Sequence, residues 1–165
     1  MAEFGTTDTG EPLATTLDYD AESLTATLSV EGTPNPDTYT AQAGVNFPTP
    51  YVYHSDVTVN LGGGTDGPDV AEYSAMGPET SGKFSIGQDA DGSVIEGVTA
   101  QGFDEWAPDY SISTETVHGA ETFIGTPGPD MISIDDCNTD VTSINGGGIS
   151  GEISTLGSET YKDIL

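Results

Sequence analysis

Short segments in which apolar and polar residues alternate recur along most of the chain. The clearest is 23–31, where every second residue is Leu, Ala or Val and the residues between them are Thr or Ser. A period of two is typical of a half-buried β-strand. The segment 51–61 alternates in the same way. Shorter segments of this kind predict further strands at 38–43, 83–86, 93–99, 110–117, 121–124, 131–134, 141–144 and 149–156.

Gly, Pro, Asn or Asp stands at nearly every boundary between these segments, and such residues favour turns. Strands that recur about every 8–12 residues with turns between them are typical of sandwiches and barrels. We therefore predict an all-β protein, a β-sandwich or jelly-roll-like domain with about 8–10 short strands and long acidic loops. The only helix candidate is 70–76, which is long enough for one or two turns.

The length of 165 residues fits one domain. We expect an N-terminal arm at 1–12, a single β domain at 13–157 and a C-terminal arm at 158–165. The C-terminal arm ends in apolar residues, so we expect it to dock on a neighbouring molecule. The predicted assembly contacts are Tyr161, Ile164 and Leu165.

The charge of the chain is strongly one-sided. Asp and Glu number 28 against 2 basic residues, both lysines, and the formal net charge is −26. Such a surface repels phosphate, so direct nucleic-acid recognition is not expected. Without arginine the chain also lacks the bidentate group that clamps phosphate. With few large apolar residues, disorder is an alternative, but the regular alternation favours a folded chain.

Concentrated salt weakens the electrostatic repulsion that this net charge produces within the chain. In dilute buffer, uncompensated negative charge opposes a compact state. At about 1 M salt the screening length falls to roughly 3 Å, and excluded salts strengthen apolar burial. The composition therefore favours a protein from a high-salt environment; an acidic secreted or marine protein is the alternative.

Candidate catalytic groups are few. The chain has two histidines, His54 and His118, and no Gly-x-Ser-x-Gly nucleophile turn. A single cysteine, Cys137, excludes an intrachain disulfide, and its acidic neighbours disfavour a reactive thiolate. We expect a protein that is not an enzyme.

Two further segments are candidate binding sites. Asp89, Asp91 and Glu96 flank a glycine turn, and hard oxygen ligands at alternate positions suit Ca²⁺ or Mg²⁺. The spacing is not that of an EF-hand, and no cofactor is required. Trp106 lies among acids and aromatics in 103–110, so it either stacks on a sugar or anchors a loop.

The cellular location is predicted from the first residues of the chain and from its hydropathy. The first ten residues have neither the basic nor the apolar region of a signal peptide. No stretch approaches the roughly 18 apolar residues of a membrane span. We expect a protein made in the cytoplasm and then kept there or released inside a particle.

Neutral strands and acidic turns suggest a subunit of an assembly. Thr and Ser fill the outward strand positions, which can lie against a neighbour, while we expect the acids of the turns to face salt water. These turn residues are Asp66, Asp69, Asp89, Asp91, Asp104, Asp130 and Asp140.

In composition the whole chain resembles a structural protein of a virus of halophilic archaea. The resemblance implies a β-sandwich capsid or capsid-decoration subunit, a homo-oligomer that contacts itself and other virion proteins, made in the host cytoplasm and located in the virion. Two alternatives remain open: a tail-tube subunit of a tailed virus, or a carbohydrate-binding or adhesion module that uses Trp106.

Overall fold

The computed structural model describes residues 4–41, 54–62, 66–76, 82–88, 94–101, 112–128, 130–134, 141–146, 152–155 and 160–162. These ranges contain fourteen strands and no helix, so the protein is mostly β, as the alternation predicts. The strands are β1 (Gly5–Thr7), β2 (Ala14–Asp20), β3 (Thr25–Glu31), β4 (Asp37–Thr40), β5 (His54–Asn60), β6 (Val70–Glu72), β7 (Lys83–Gln88), β8 (Val94–Gln101), β9 (Ile112–His118), β10 (Thr122–Ile124), β11 (Met131–Ile134), β12 (Ser143–Asn145), β13 (Glu152–Thr155) and β14 (Thr160–Lys162).

The strands form two mixed sheets. The large sheet has nine strands in the order β14-β13-β11-β7-β8-β9-β5-β3-β2, and the small sheet has five in the order β1-β4-β6-β10-β12. The chain crosses repeatedly between the sheets, so β4, β6, β10 and β12 lie parallel, as do β3, β5 and β9. Antiparallel pairs join β7, β8 and β9 at the middle of the large sheet.

Both sheets contribute to one apolar core, because alternate residues of each strand point to the same side. The aromatic centre joins Tyr73 and Phe123 of the small-sheet side to Phe84 of the large sheet. Ring centroids lie 4.8 Å apart for Tyr73 and Phe84, and 4.7 Å apart for Phe84 and Phe123. All three side chains are fully buried, so this cluster fixes the two sheets against each other.

The helix predicted at 70–76 is wrong. Val70–Glu72 is strand β6, which lies between β4 and β10 with Ala71 in register with Tyr39 and Phe123. Ala71 is fully buried there. Parallel pairing on both sides and burial of the central residue override the weak local preference for a helix.

Besides β6, three strands were not predicted. Strand β2 escaped detection because its residues are mostly exposed and show no apolar alternation. β1 and β14 lie in the segments expected as arms; β1 pairs with β4, and Phe4 next to it is buried. The predicted strand 23–31 begins instead at Thr25, since Leu24 has a positive φ of 57° and ends the turn after β2.

Candidate functional site

A row of Thr and Ser positions follows the strand register across the large sheet, on the face opposite the core. In the strand register, one position of each of the nine strands falls on this row, and every one is Thr or Ser. From β2 to β14 the row is Thr16, Ser29, Thr58, Thr116, Thr99, Ser85, Ser133, Ser154 and Thr160. We call these nine positions the hydroxyl row. A chain with net charge −26 thus keeps one line of its sheet face free of charge.

Exposure varies along the hydroxyl row. Thr16 is exposed, Thr58 and Ser85 are half-buried, and Thr99 is only 1% exposed. Ser133 donates from its hydroxyl to the carbonyl of Phe84 at 3.2 Å. The Thr99 hydroxyl meets no hydrogen-bond partner within the described part of the chain. The centre of the sheet face is therefore polar but shielded from water.

The register row next to the hydroxyl row lies on the other face of the same sheet, toward the core, and it contains one acidic residue. The register places Glu115 between Val57 of β5 and Ala100 of β8. Its side chain is 3% exposed. The hydroxyl of Tyr73 donates a 2.8 Å hydrogen bond to Oε1 of Glu115. A carboxyl group thus sits within the apolar core and is held from the other sheet.

Burial has the largest effect on the pKa values of Glu115, Tyr39 and Tyr73. Removal from water raises the pKa of Glu115 from 4.5 to about 7, although Tyr39 and Tyr73 lower it in part. Burial, together with the negative charge of Glu115, raises the pKa of both tyrosines well above 10. The cluster therefore exchanges a proton near neutral pH at Glu115, while the tyrosines stay neutral.

Acidic side chains also line the starting ends of the small-sheet strands. Asp37, Asp69 and Glu121 occupy neighbouring register positions at the start of β4, before β6 and before β10. The backbone N–H of Asp37 donates to Oδ1 of Asp69 at 2.7 Å, and the N–H of Asp69 donates to Oε2 of Glu121 at 2.6 Å. We call these three residues the carboxylate ladder. Each of these hydrogen bonds provides an acceptor for a backbone N–H at a strand end, where the pairing between strands supplies no acceptor.

Two turns with the same sequence pattern use an aspartate in the same way. In Thr33–Asp37 the Thr33 N–H and hydroxyl both donate to the Asp37 carboxylate. In Thr126–Asp130 the Thr126 N–H donates to Oδ2 of Asp130 at 2.7 Å, and its hydroxyl donates to Oδ1. Asp130 also accepts the N–H of Gly82 at 2.9 Å, so this turn is tied to the start of β7.

A glycine precedes the threonine of each turn for a steric reason. A Cβ on Gly32 would lie 2.6 Å from Oδ2 of Asp37, and a Cβ on Gly125 would overlap Oδ2 of Asp130. The pattern is therefore Gly-Thr-x-x-Pro-Asp, and it recurs in the sequence at 64–69, where Asp69 is the final residue. The likeness of 33–36 and 126–129 is visible in the sequence, but the role of the aspartate that follows each of them is not.

The expectation that acids of the turns face solvent is wrong for Asp69 and Asp130. Asp69 is fully buried and Asp130 is 3% exposed. Their carboxylates accept backbone N–H groups that would otherwise be unsatisfied. Glu115 was not among the predicted site residues, although it lies within the predicted strand 110–117.

Most of the predicted site residues fall outside the described ranges. These include Asp89, Asp91, Trp106, Cys137, Ile164 and Leu165. The backbone of Glu96 lies in β8, and Tyr161 is the middle residue of β14, in register with Ile153. The calcium or magnesium site and the C-terminal assembly contact therefore remain predictions. His54 and His118 lie at opposite ends of neighbouring parallel strands, β5 and β9.

Other kinds of site were sought in the described residues. No group of three His, Cys, Asp or Glu side chains there is arranged to hold a metal ion. No helix there has the length and hydropathy needed to cross a membrane. Comparison with protein-family models, curated proteins and solved structures gives no match for this chain.

Proposed function

We propose that this chain is a virion structural protein of a virus of halophilic archaea, a β-sandwich capsid or capsid-decoration subunit that acts by self-assembly in concentrated salt. The hydroxyl row carries the proposal. Nine registered positions without a single charge are an unusual feature in a chain with 28 acids. The accessible members of this row, such as Thr16 and Thr58, are suited to contact with another subunit, because neither side must bury a carboxylate.

The buried groups support a structural role. Glu115 is held in the core by Tyr73, and Asp130 accepts three hydrogen bonds from backbone and hydroxyl donors. These carboxylates hold elements of the fold together. Two sheets that share one core also support the sandwich architecture of the proposal.

The charge supports assembly in salt rather than in dilute buffer. Copies that each carry −26 repel one another, and the repulsion is screened within roughly 3 Å at 1 M salt. Contacts between neutral rows then outweigh it. We expect the particle to dissociate as salt is removed.

Electron microscopy of the purified protein in about 3 M KCl tests the proposal, since long-range repulsion is screened there. We expect closed particles or regular arrays. Thr58→Asp, in the hydroxyl row, should abolish them, whereas Thr27→Asp, on the same face but off the row, should not. A wild-type protein that stays monomeric in salt contradicts the proposal. Saturable polysaccharide binding that is lost in Trp106→Ala would favour the carbohydrate-binding alternative instead.

A further inference from the structure

Among the described residues, strand β2 is the last strand of the large sheet, and one of its edges is unpaired there. It pairs along all seven of its residues with β3, without a register shift. No strand in the described ranges pairs with its other edge. Backbone N–H and C=O groups on such an edge are a ready template for another strand.

The usual protection of an edge strand is missing here. Natural edge strands are commonly blunted by lysine, proline or a bulge. β2, with the sequence ATTLDYD, has none of these. All seven residues are exposed or half-buried, and Leu17 is 45% exposed. Its two acids, Asp18 and Asp20, are the only features that oppose pairing.

The position of Leu17 shows which face of β2 carries an exposed apolar side chain. Leu17 is in register with Leu28 of β3, which is buried in the core. Leu17 therefore lies on the core-facing side, together with Thr15 and Tyr19, while Asp18 and Asp20 lie on the outer face. The core-facing side of the edge is apolar at its centre and remains accessible.

The charges and the number of opposed residues together select one way for two copies of β2 to pair. In an antiparallel pair the two strands keep the same faces, so opposed residues are both even-numbered or both odd-numbered. Centred on Leu17, the pairing opposes all seven residues and sets Asp18 against Thr16 and Asp20 against Ala14. Centred on Asp18, it sets the two Asp18 carboxylates directly against each other, which is destabilising.

We propose that β2 pairs antiparallel with β2 of a second copy of this chain, centred on Leu17, and joins two large sheets across a two-fold axis. This interface rests on the proposed function, self-assembly in salt, and names one of its contacts. Leu17 then meets its own counterpart on the core-facing side, and Thr15 meets Tyr19. The contact is closed, because both copies use the same strand.

The same arrangement makes the interface depend on salt. The two Asp18 side chains become diagonal neighbours at roughly 7–8 Å. That separation exceeds the screening length of about 3 Å in 1 M salt but not that of about 10 Å in 0.1 M salt. Pairing should therefore strengthen as the salt concentration rises.

Sedimentation velocity in about 3 M KCl tests the interface under conditions that screen the acids. We expect wild type to contain a species of at least twice the 17.0 kDa chain mass. Leu17→Asp should lower the association constant at least tenfold, with unchanged circular dichroism. Met131→Asp is the matched control, since Met131 is also a large apolar residue that is exposed (56%) and lies on β11, away from the edge. It should associate as wild type does.

A cross-linking measurement keeps the test independent of any effect on folding. In a Cys137→Ser background, Leu17→Cys should give a covalent dimer with a short bismaleimide, because opposed Cβ atoms lie roughly 4.5–5.5 Å apart. Thr27→Cys, exposed on β3, should not. Association without this cross-link, and unaffected by Leu17→Asp, overturns the β2 interface and leaves the proposed function standing. A wild-type monomer at every salt concentration overturns both.

Discussion

The hydroxyl of Tyr73 donates a 2.8 Å hydrogen bond to Oε1 of Glu115 and thereby joins the two sheets through the core. Tyr73 directly follows β6 of the small sheet, and Glu115 lies on β9 of the large one. The tyrosine supplies a donor to a buried carboxyl group that has lost its contacts with water. The contact between the two sheets therefore depends on whether Glu115 is protonated.

Stability should fall as the pH rises through neutrality, because of Glu115. Its pKa is raised from 4.5 to about 7 in the folded state, so between these values the folded protein binds more protons than the unfolded chain. The contribution is complete below about pH 4.5 and is lost as the pH rises through about 7. The loss amounts to about 3 kcal/mol in the free energy of unfolding.

The Glu115→Gln variant isolates this effect from the other acids. Urea unfolding of wild type and variant at constant high salt, from pH 4.5 to 8, should show wild type losing about 3 kcal/mol relative to the variant. Glu22→Gln, an exposed glutamate, should follow wild type throughout. Parallel pH profiles for wild type and Glu115→Gln would contradict the assignment.

Asp130→Asn should destabilise the fold by about 2–4 kcal/mol, because an amide nitrogen would replace an oxygen that accepts a hydrogen bond. Either orientation of the amide faces a donor, since Oδ1 accepts from Gly82 and Oδ2 accepts from Thr126. Thermal or urea unfolding measures the loss. Asp66→Asn, an exposed aspartate of the turn before β6, should change stability by less than about 0.5 kcal/mol. Equal effects of the two variants would refute the role of Asp130.

Gly125→Ala should be more damaging than a typical glycine substitution. The added Cβ would overlap Oδ2 of Asp130 and lie 2.7 Å from the carbonyl of Gly146. Asp130 is held by three hydrogen bonds and the Gly146 carbonyl belongs to the backbone, so we expect a loss of about 2–4 kcal/mol. Gly10→Ala is a useful comparison, because its Cβ meets open space and its cost comes only from a φ of 81°. Unfolding curves that rank Gly10→Ala as the worse variant would exclude the clash as the cause.

Folding itself should depend on salt. Between about 0.1 and 3 M KCl, the screening length falls from roughly 10 Å to below 3 Å, so self-repulsion of the acids weakens. Circular dichroism should show β structure strengthening, and the unfolding midpoint should rise along the same series. Stability that is flat or falls with salt would remove the argument for a high-salt protein.

The sequence predicts the strands that bury one face and misses those that do not. β3 and β5 alternate because one face is in the core, and both were predicted, whereas β2 is exposed on most of its length. β6 was mistaken for a helix because three residues carry too little periodic information. What decides its structure is the pairing with β4 and β10, which are distant in the chain.

The candidate site, too, could be predicted from the sequence only in part. The neutral outward positions were expected, but their alignment into a hydroxyl row depends on the register of nine strands, which no local pattern specifies. Glu115 reads locally as one more surface acid of an acidic chain. Its burial follows from the order β8-β9-β5, which places Val57 and Ala100 on either side of it.

The central position of β7, β8 and β9 has a consequence for how the chain reaches its native state. These strands form consecutive antiparallel pairs, whereas β5 and β11 join them through parallel pairings between distant segments. Because closing long loops is slow and local pairing is fast, we expect the meander to be the nucleus. The N-terminal and C-terminal halves of the sheet then grow outward from it in opposite directions, and β2, a local hairpin partner of β3, joins the sheet through the parallel pairing of β3 with β5.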